Sequence, residues 1–138
     1  MTSAVTGACL CGAVRFRVTL PTSFCAHCHC SMCRRNHGAG YVTWVGVPRG
    51  QLELLEGGDA LVTYASSDAG TRKFCGRCGT SLFCENTHHP ERVDVPLANL
   101  DGPIDRDPQL HAYFDCRAPW VEVGDALPRL DESALAKS

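Results

Sequence analysis

The sequence predicts a mainly β fold with little helix. Three observations carry this. Short runs alternate apolar and polar residues with period two, and Gly, Pro and Asp punctuate them. The 3.6-residue period of an amphipathic helix is nearly absent. In chain order, Val14, Phe16, Val18 and Leu20 face one way, with Arg15, Arg17 and Thr19 between them. Tyr41 to Val47 is rich in β-branched and aromatic residues. Leu52 and Leu54 alternate with Gln51 and Glu53, and a Gly57-Gly58-Asp59 turn leads into Leu61 to Tyr64. Ser81 to Cys84, Arg92 to Val95, His111 to Phe114 and Trp120 to Val123 complete the predicted strands. One short helical turn fits Ser31 to Asn36 and another fits a start at Asp101-Gly102-Pro103. Proline at positions 90, 96, 103, 108, 119 and 128 forbids long helices in the second half.

A length of 138 residues is one domain's worth. We place that domain at residues 1–130 and expect 131–138, mostly small or polar, to be a flexible tail. Hydrophobic residues at 44 % and charged residues at 20 % exclude a disordered or coiled-coil chain. The net charge of −2 argues against a nucleic-acid partner. No apolar run approaches the roughly 20 residues of a membrane span. The first residues show neither the basic nor the apolar region of a secretory signal, so the expected compartment is the reducing cytoplasm. Charge is unevenly spread, since residues 1–52 hold five arginines and no acid. Either something anionic is held there, or Arg15 and Arg17 form the wet face of a strand.

Ten cysteines are the unusual feature. In a reducing compartment, clustered cysteines point to metal before disulfides. Cys9 and Cys11 stand two apart, so on an extended chain both sulfurs point the same way. Cys75-Gly76-Arg77-Cys78-Gly79 has the spacing of a zinc knuckle, with glycines that permit the tight turn. Together these pairs make a closed four-thiolate site of the structural kind. The alternatives are disulfides or merely buried thiols.

The third cluster, Cys25-Ala26-His27-Cys28-His29-Cys30-Ser31-Met32-Cys33, is ambiguous. Cys28, Cys30 and Cys33 alone would leave one coordination position open, as catalytic zinc requires. Cys25, or one of His27, His29 and His37, could equally close the site. Arg34 and Arg35 beside it would balance bound thiolates or clamp a carboxylate. Cys84 and Cys116 read as small buried hydrophobes, His88 and His89 as loop residues, and Trp44 and Trp120 as core.

Three motifs in this order resemble one family: Gly7-Ala8-Cys9-Leu10-Cys11-Gly12, Cys28-His29-Cys30-Ser31-Met32-Cys33-Arg34-Arg35 and Phe74-Cys75-Gly76-Arg77-Cys78-Gly79. It is the glutathione-dependent formaldehyde-activating enzyme family, which includes centromere protein V. Gly38 to Trp44 and the late stretch His111 to Trp120, with Asp115, Arg117, Ala118, Pro119 and Trp120, add to the likeness, which spans residues 5–125. Cys25 stands outside the family motif.

The resemblance implies several small, coiled antiparallel sheets of the β-tent type, held by two Zn2+ per chain. It implies structural zinc on Cys9, Cys11, Cys75 and Cys78, and a second zinc on Cys28, Cys30 and Cys33 with one position left for substrate. The implied activity is a carbon–sulfur lyase or synthase joining glutathione to formaldehyde, giving S-hydroxymethylglutathione. Cys28, Cys30 and Cys33 would be catalytic, Arg34, Arg35 and His37 would bind substrate, and His29 or His37 would move the proton. The rivals are a non-catalytic zinc module that binds glutathione adducts or a protein partner, and a redox sensor built on Cys25.

Overall fold

The computed structural model describes residues 3–135. Ten strands run as β1 (Ala4–Ala8), β2 (Arg15–Thr19), β3 (Phe24–Cys28), β4 (Val42–Pro48), β5 (Leu52–Glu56), β6 (Leu61–Ala65), β7 (Gly70–Cys75), β8 (Ser81–Asn86), β9 (Arg92–Pro96) and β10 (His111–Ala112). Helix is confined to α1 (Ser31–His37), one turn α2 (Glu132–Leu135) and four 3-10 turns. The strands form two sheets. The smaller has the order β1-β2-β5. The larger has seven strands in the order β10-β3-β4-β9-β8-β7-β6. The mainly β prediction therefore holds, with two sheets, one of three strands and one of seven, where several small ones were expected. Its β10–β3 edge is parallel, where only antiparallel pairing was expected.

Period-two alternation explains how the sheets pack. Phe16 and Val18 of β2 turn inward and are fully buried, while Arg15 is exposed and Arg17 pairs with Glu53 on the wet face. The two arginines thus have their solvated reading. Phe16 meets Phe83 of the large sheet edge to face, 5.1 Å between ring centres. Val45, Val47, Leu82, Val93 and Val95 complete this main core. The opposite face of β4 carries Val42 and Trp44, which join Cys28 and Cys33 in a second, smaller core. Strand β4 is therefore covered on both sides, which its near-continuous apolar run requires.

Several expectations are corrected. Trp120 to Val123 is not a strand; a turn follows Pro119, and Trp120 is 71 % exposed rather than core. Trp44 is buried as expected. His111 to Phe114 is extended only at His111–Ala112, because Tyr113 turns left-handed (φ 53°) into a 3-10 turn at Phe114–Cys116. The helical turn expected from Asp101 lies instead at Leu97–Asn99. Within the expected tail, Glu132–Leu135 is helical and the Glu132 amide donates to Asp115 Oδ1 at 3.1 Å. Residues 136–138 lie outside the described residues. Cys84 and Cys116 are half-buried, not fully buried. Strands β1, β3 and β7 were not anticipated, since each lacks a clean apolar alternation.

Candidate metal centres

All ten cysteines are free thiols. Seven of them converge into two groups, within each of which every sulfur lies within 4.8 Å of every other. The first group is Cys9, Cys11, Cys75 and Cys78. Cys9 and Cys11 lie just past β1, and Cys75 ends β7. Cys9 Sγ is 3.6 Å from Cys11 Sγ, and Cys11 Sγ is 3.9 Å from Cys75 Sγ. A tetrahedral zinc with Zn–S bonds of about 2.3 Å sets its sulfurs about 3.8 Å apart, so these two separations are already at ligand spacing.

Each cysteine pair is followed by a left-handed glycine, Gly12 (φ 79°) and Gly79 (φ 81°), which lets the chain fold back tightly. The turns aim donors at sulfur. Val14 N–H donates to Cys9 Sγ at 3.3 Å, Arg77 N–H to Cys75 Sγ at 3.4 Å, and Thr80 Oγ1 lies 3.2 Å from Cys78 Sγ. Hydrogen bonds from the Thr80 hydroxyl and nearby amides hold the Cys78 thiol down at about 5. Donors around sulfur favour the thiolate that a metal needs.

The second group is Cys28, Cys30 and Cys33. Cys28 ends β3, Cys30 caps α1, and Cys33 sits in its first turn. Cys30 Sγ accepts the Cys33 amide at 3.3 Å. Two side chains from the large sheet reach Cys33 Sγ: the Trp44 indole N–H at 3.4 Å and Arg72 Nη2 at 3.6 Å. Hydrogen bonds from Cys28 and Cys30, with Arg72 beside it, hold the Cys33 thiol down at about 2. The same contacts push Cys28 up, because it is the donor. One thiolate is thus favoured even without a metal.

The Cys25 question is settled by strand parity. Cys25 lies three residues before Cys28 on β3, so the two point to opposite faces. Cys25 is fully buried in the main core with Val45 and Val47, while Cys28 belongs to the second core. Among the described residues no fourth Cys, His, Asp or Glu joins Cys28, Cys30 and Cys33 at ligand spacing. His29 turns away to bond His111, and His27 bonds Thr43. His37 packs edge-on against Trp44 at 5.2 Å, with its Nε2 buried and unpartnered; burial lowers its pKa.

The three side chains expected to bind substrate separate. His37 is inward-facing. Arg34 is committed to backbone, donating to His29 O at 3.3 Å and Cys116 O at 3.1 Å. Arg35 is exposed. With Arg34, Gly38, Ala39 and Trp120 it lines a shallow depression of about 290 Å3 beside α1. A larger depression of about 620 Å3 lies between β1 and residues 102–105 and contains none of the cysteines.

Sequence reading missed Arg72. It is buried in β7, and its Nε and Nη1 have no partner. Three thiolates and one divalent cation sum to a single negative charge, and Arg72 would neutralise it. A lone arginine in a polar strand carries no signal of this, because only the β7–β8–β9–β4 pairing brings it to Cys33.

The model of the family described as glutathione-dependent formaldehyde-activating enzyme matches residues 4–116. A Halomonas elongata protein, provisionally named a glutathione-dependent formaldehyde-activating enzyme, is 31 % identical over 132 residues, covering 85 % of this chain and 79 % of its own. A Podospora anserina protein with the same provisional name is 34 % identical over 113 residues, covering 76 % of this chain and 52 % of its own, so this chain spans about half that relative's length. The crystal structure of a Rhodobacter sphaeroides protein superposes with a TM-score of 0.61 at 30 % identity, covering 72 % of this chain and 91 % of that one.

Proposed function

The chain belongs to the glutathione-dependent formaldehyde-activating enzyme family, and from that premise we propose that it joins glutathione to a small aldehyde at the Cys28–Cys30–Cys33 centre. With formaldehyde the product is S-hydroxymethylglutathione. The carbon–sulfur bond forms, the carbonyl π bond breaks, and the thiol proton ends on the former carbonyl oxygen. The observation that carries the reading is the three-sulfur group with no fourth side-chain ligand among the described residues, Cys25 being on the far face of β3. The donor set suits zinc, two ions per chain, in a fold we assign to the β-tent type. Cys28, Cys30 and Cys33 would hold the ion, and it would supply an open position at which a thiol is favoured as thiolate.

The chain's own residues do the remaining work. Arg72 and the Trp44 indole stabilise the anionic sulfurs through Cys33. Arg35 lines the depression beside α1 and is exposed, so its guanidinium is free to hold a glutathione carboxylate as a bidentate pair. Trp120, also in the lining and exposed, offers apolar surface to the peptide. Arg34 acts differently from the original expectation, strapping the His29 and Cys116 carbonyls together and so fixing the Cys28-to-Cys33 loop. A trithiolate zinc is electron-rich, so positioning of the thiol outweighs polarisation of the carbonyl. Glutathione and a reducing interior imply a cytoplasmic protein.

Magnetisation-exchange spectroscopy between formaldehyde and glutathione tests the reading. The expected result is an exchange rate that rises linearly with protein concentration above the uncatalysed background. A rate equal to background at every concentration would contradict catalysis and leave a module that binds the adduct.

A further inference from the structure

We propose that His27, His111 and Asp125 form a third cation site, for a divalent transition-metal ion bound by two imidazoles and a carboxylate. The site is distinct from both cysteine groups and does not depend on the catalytic reading. Its three donor atoms lie within 4.8 Å of one another. His27 and His111 are cross-strand partners in the parallel β3–β10 pair, which sets their rings side by side, 4.8 Å between centres. His111 is 1 % exposed, and its Nε2 lies 3.0 Å from both Asp125 oxygens. The Asp125 side chain is 42 % exposed, which gives an ion a way in.

The surroundings of the rings favour a metal over a simple hydrogen-bond chain. Metal-binding histidines usually have their second nitrogen held by another group, which fixes the ring. Here Thr43 Oγ1 holds His27 Nδ1 at 2.8 Å, leaving Nε2 as the nitrogen available to an ion. His29 Nε2 holds His111 Nδ1 at 2.8 Å. Tyr41 and Phe114 pack edge-on around the rings. Among the described residues no lysine or arginine bonds the Asp125 carboxylate; its other partner is the Leu127 amide at 3.0 Å. An ion at His111 Nε2 displaces the proton shared with Asp125. His111 then donates from Nδ1 to His29 Nε2, which puts the His29 proton on its buried, unpartnered Nδ1, a cost that the metal–ligand bonds must outweigh. Two imidazoles and a carboxylate suit Zn2+, Co2+ or Ni2+ rather than Mg2+ or Ca2+.

The full chain, with its cysteine groups already filled by zinc, is titrated with Co2+ and followed by calorimetry and visible absorption. One additional equivalent binds, with weak d–d bands and no sulfur-to-cobalt charge transfer. Asp125→Ala weakens that binding at least about 10-fold, and Thr43→Val, which removes only the hydroxyl behind His27, weakens it about 10-fold. Neither variant alters the zinc content of the cysteine groups. No additional equivalent at millimolar Co2+ overturns the proposal. So does charge-transfer absorption showing exchange into the thiolates, or an extra equivalent that both variants leave intact.

Discussion

Replacing Cys28 with alanine removes one of two zinc equivalents and eliminates protein-dependent exchange between formaldehyde and glutathione. The size of the effect follows from the geometry. With three sulfurs and no spare ligand nearby, losing one leaves a two-ligand site. Changing even an outer partner of a ligand costs about 10- to 100-fold in affinity, and a direct ligand costs more. The protein stays folded, because the main core and the four-cysteine group are built from other residues. Zinc analysis after gel filtration, paired with exchange spectroscopy, reads both outcomes. A variant that keeps two zinc equivalents would contradict the assignment of Cys28 as a ligand.

Replacing Arg72 with methionine costs more stability with metal than without. In the zinc-loaded protein Arg72 balances the single negative charge of a divalent ion on three thiolates. Removing one partner of a buried ion pair costs about 3–5 kcal/mol, so the loaded variant unfolds at markedly lower denaturant. In the metal-free, fully reduced protein Arg72 keeps Cys33 Sγ as its one partner while two of its nitrogens have none, so methionine there costs less than in the loaded protein. Lysine should recover much of the loss, since Arg72 reaches Cys33 Sγ through a single nitrogen, Nη2, and an ammonium can supply one such contact. Denaturation of wild type and variant, each with and without zinc, makes a cycle that isolates the coupling. Equal destabilisation in both states would reduce Arg72 to a packing role.

The cysteine pairing was legible in the sequence because its spacing is itself a geometric statement. A separation of two on an extended chain aligns Cys9 with Cys11, and the knuckle spacing with its glycine aligns Cys75 with Cys78. The fate of Cys25 follows from equally simple parity, but only once Phe24–Cys28 is known to be a strand. Cysteines and histidines hid that strand, since they give no apolar alternation. Arg72 was invisible for a different reason. Its partner lies 39 residues away and is reached only through strand order. Trp120 misled through composition: an aromatic leading into Val121 and Val123 reads as core, yet the turn at Pro119 and Trp120 takes it out of any strand, and it is exposed beside Arg35.

The central claim is a vacant metal position above three sulfurs. Zinc-edge anomalous diffraction from a freshly reduced crystal soaked in glutathione tests it most directly. The account predicts two strong zinc peaks, one within four cysteine sulfurs and one within Cys28, Cys30 and Cys33, the latter completed by the glutathione sulfur at about 2.3 Å. A second zinc whose fourth ligand is a side chain of this protein, or no zinc between those three sulfurs, would contradict it.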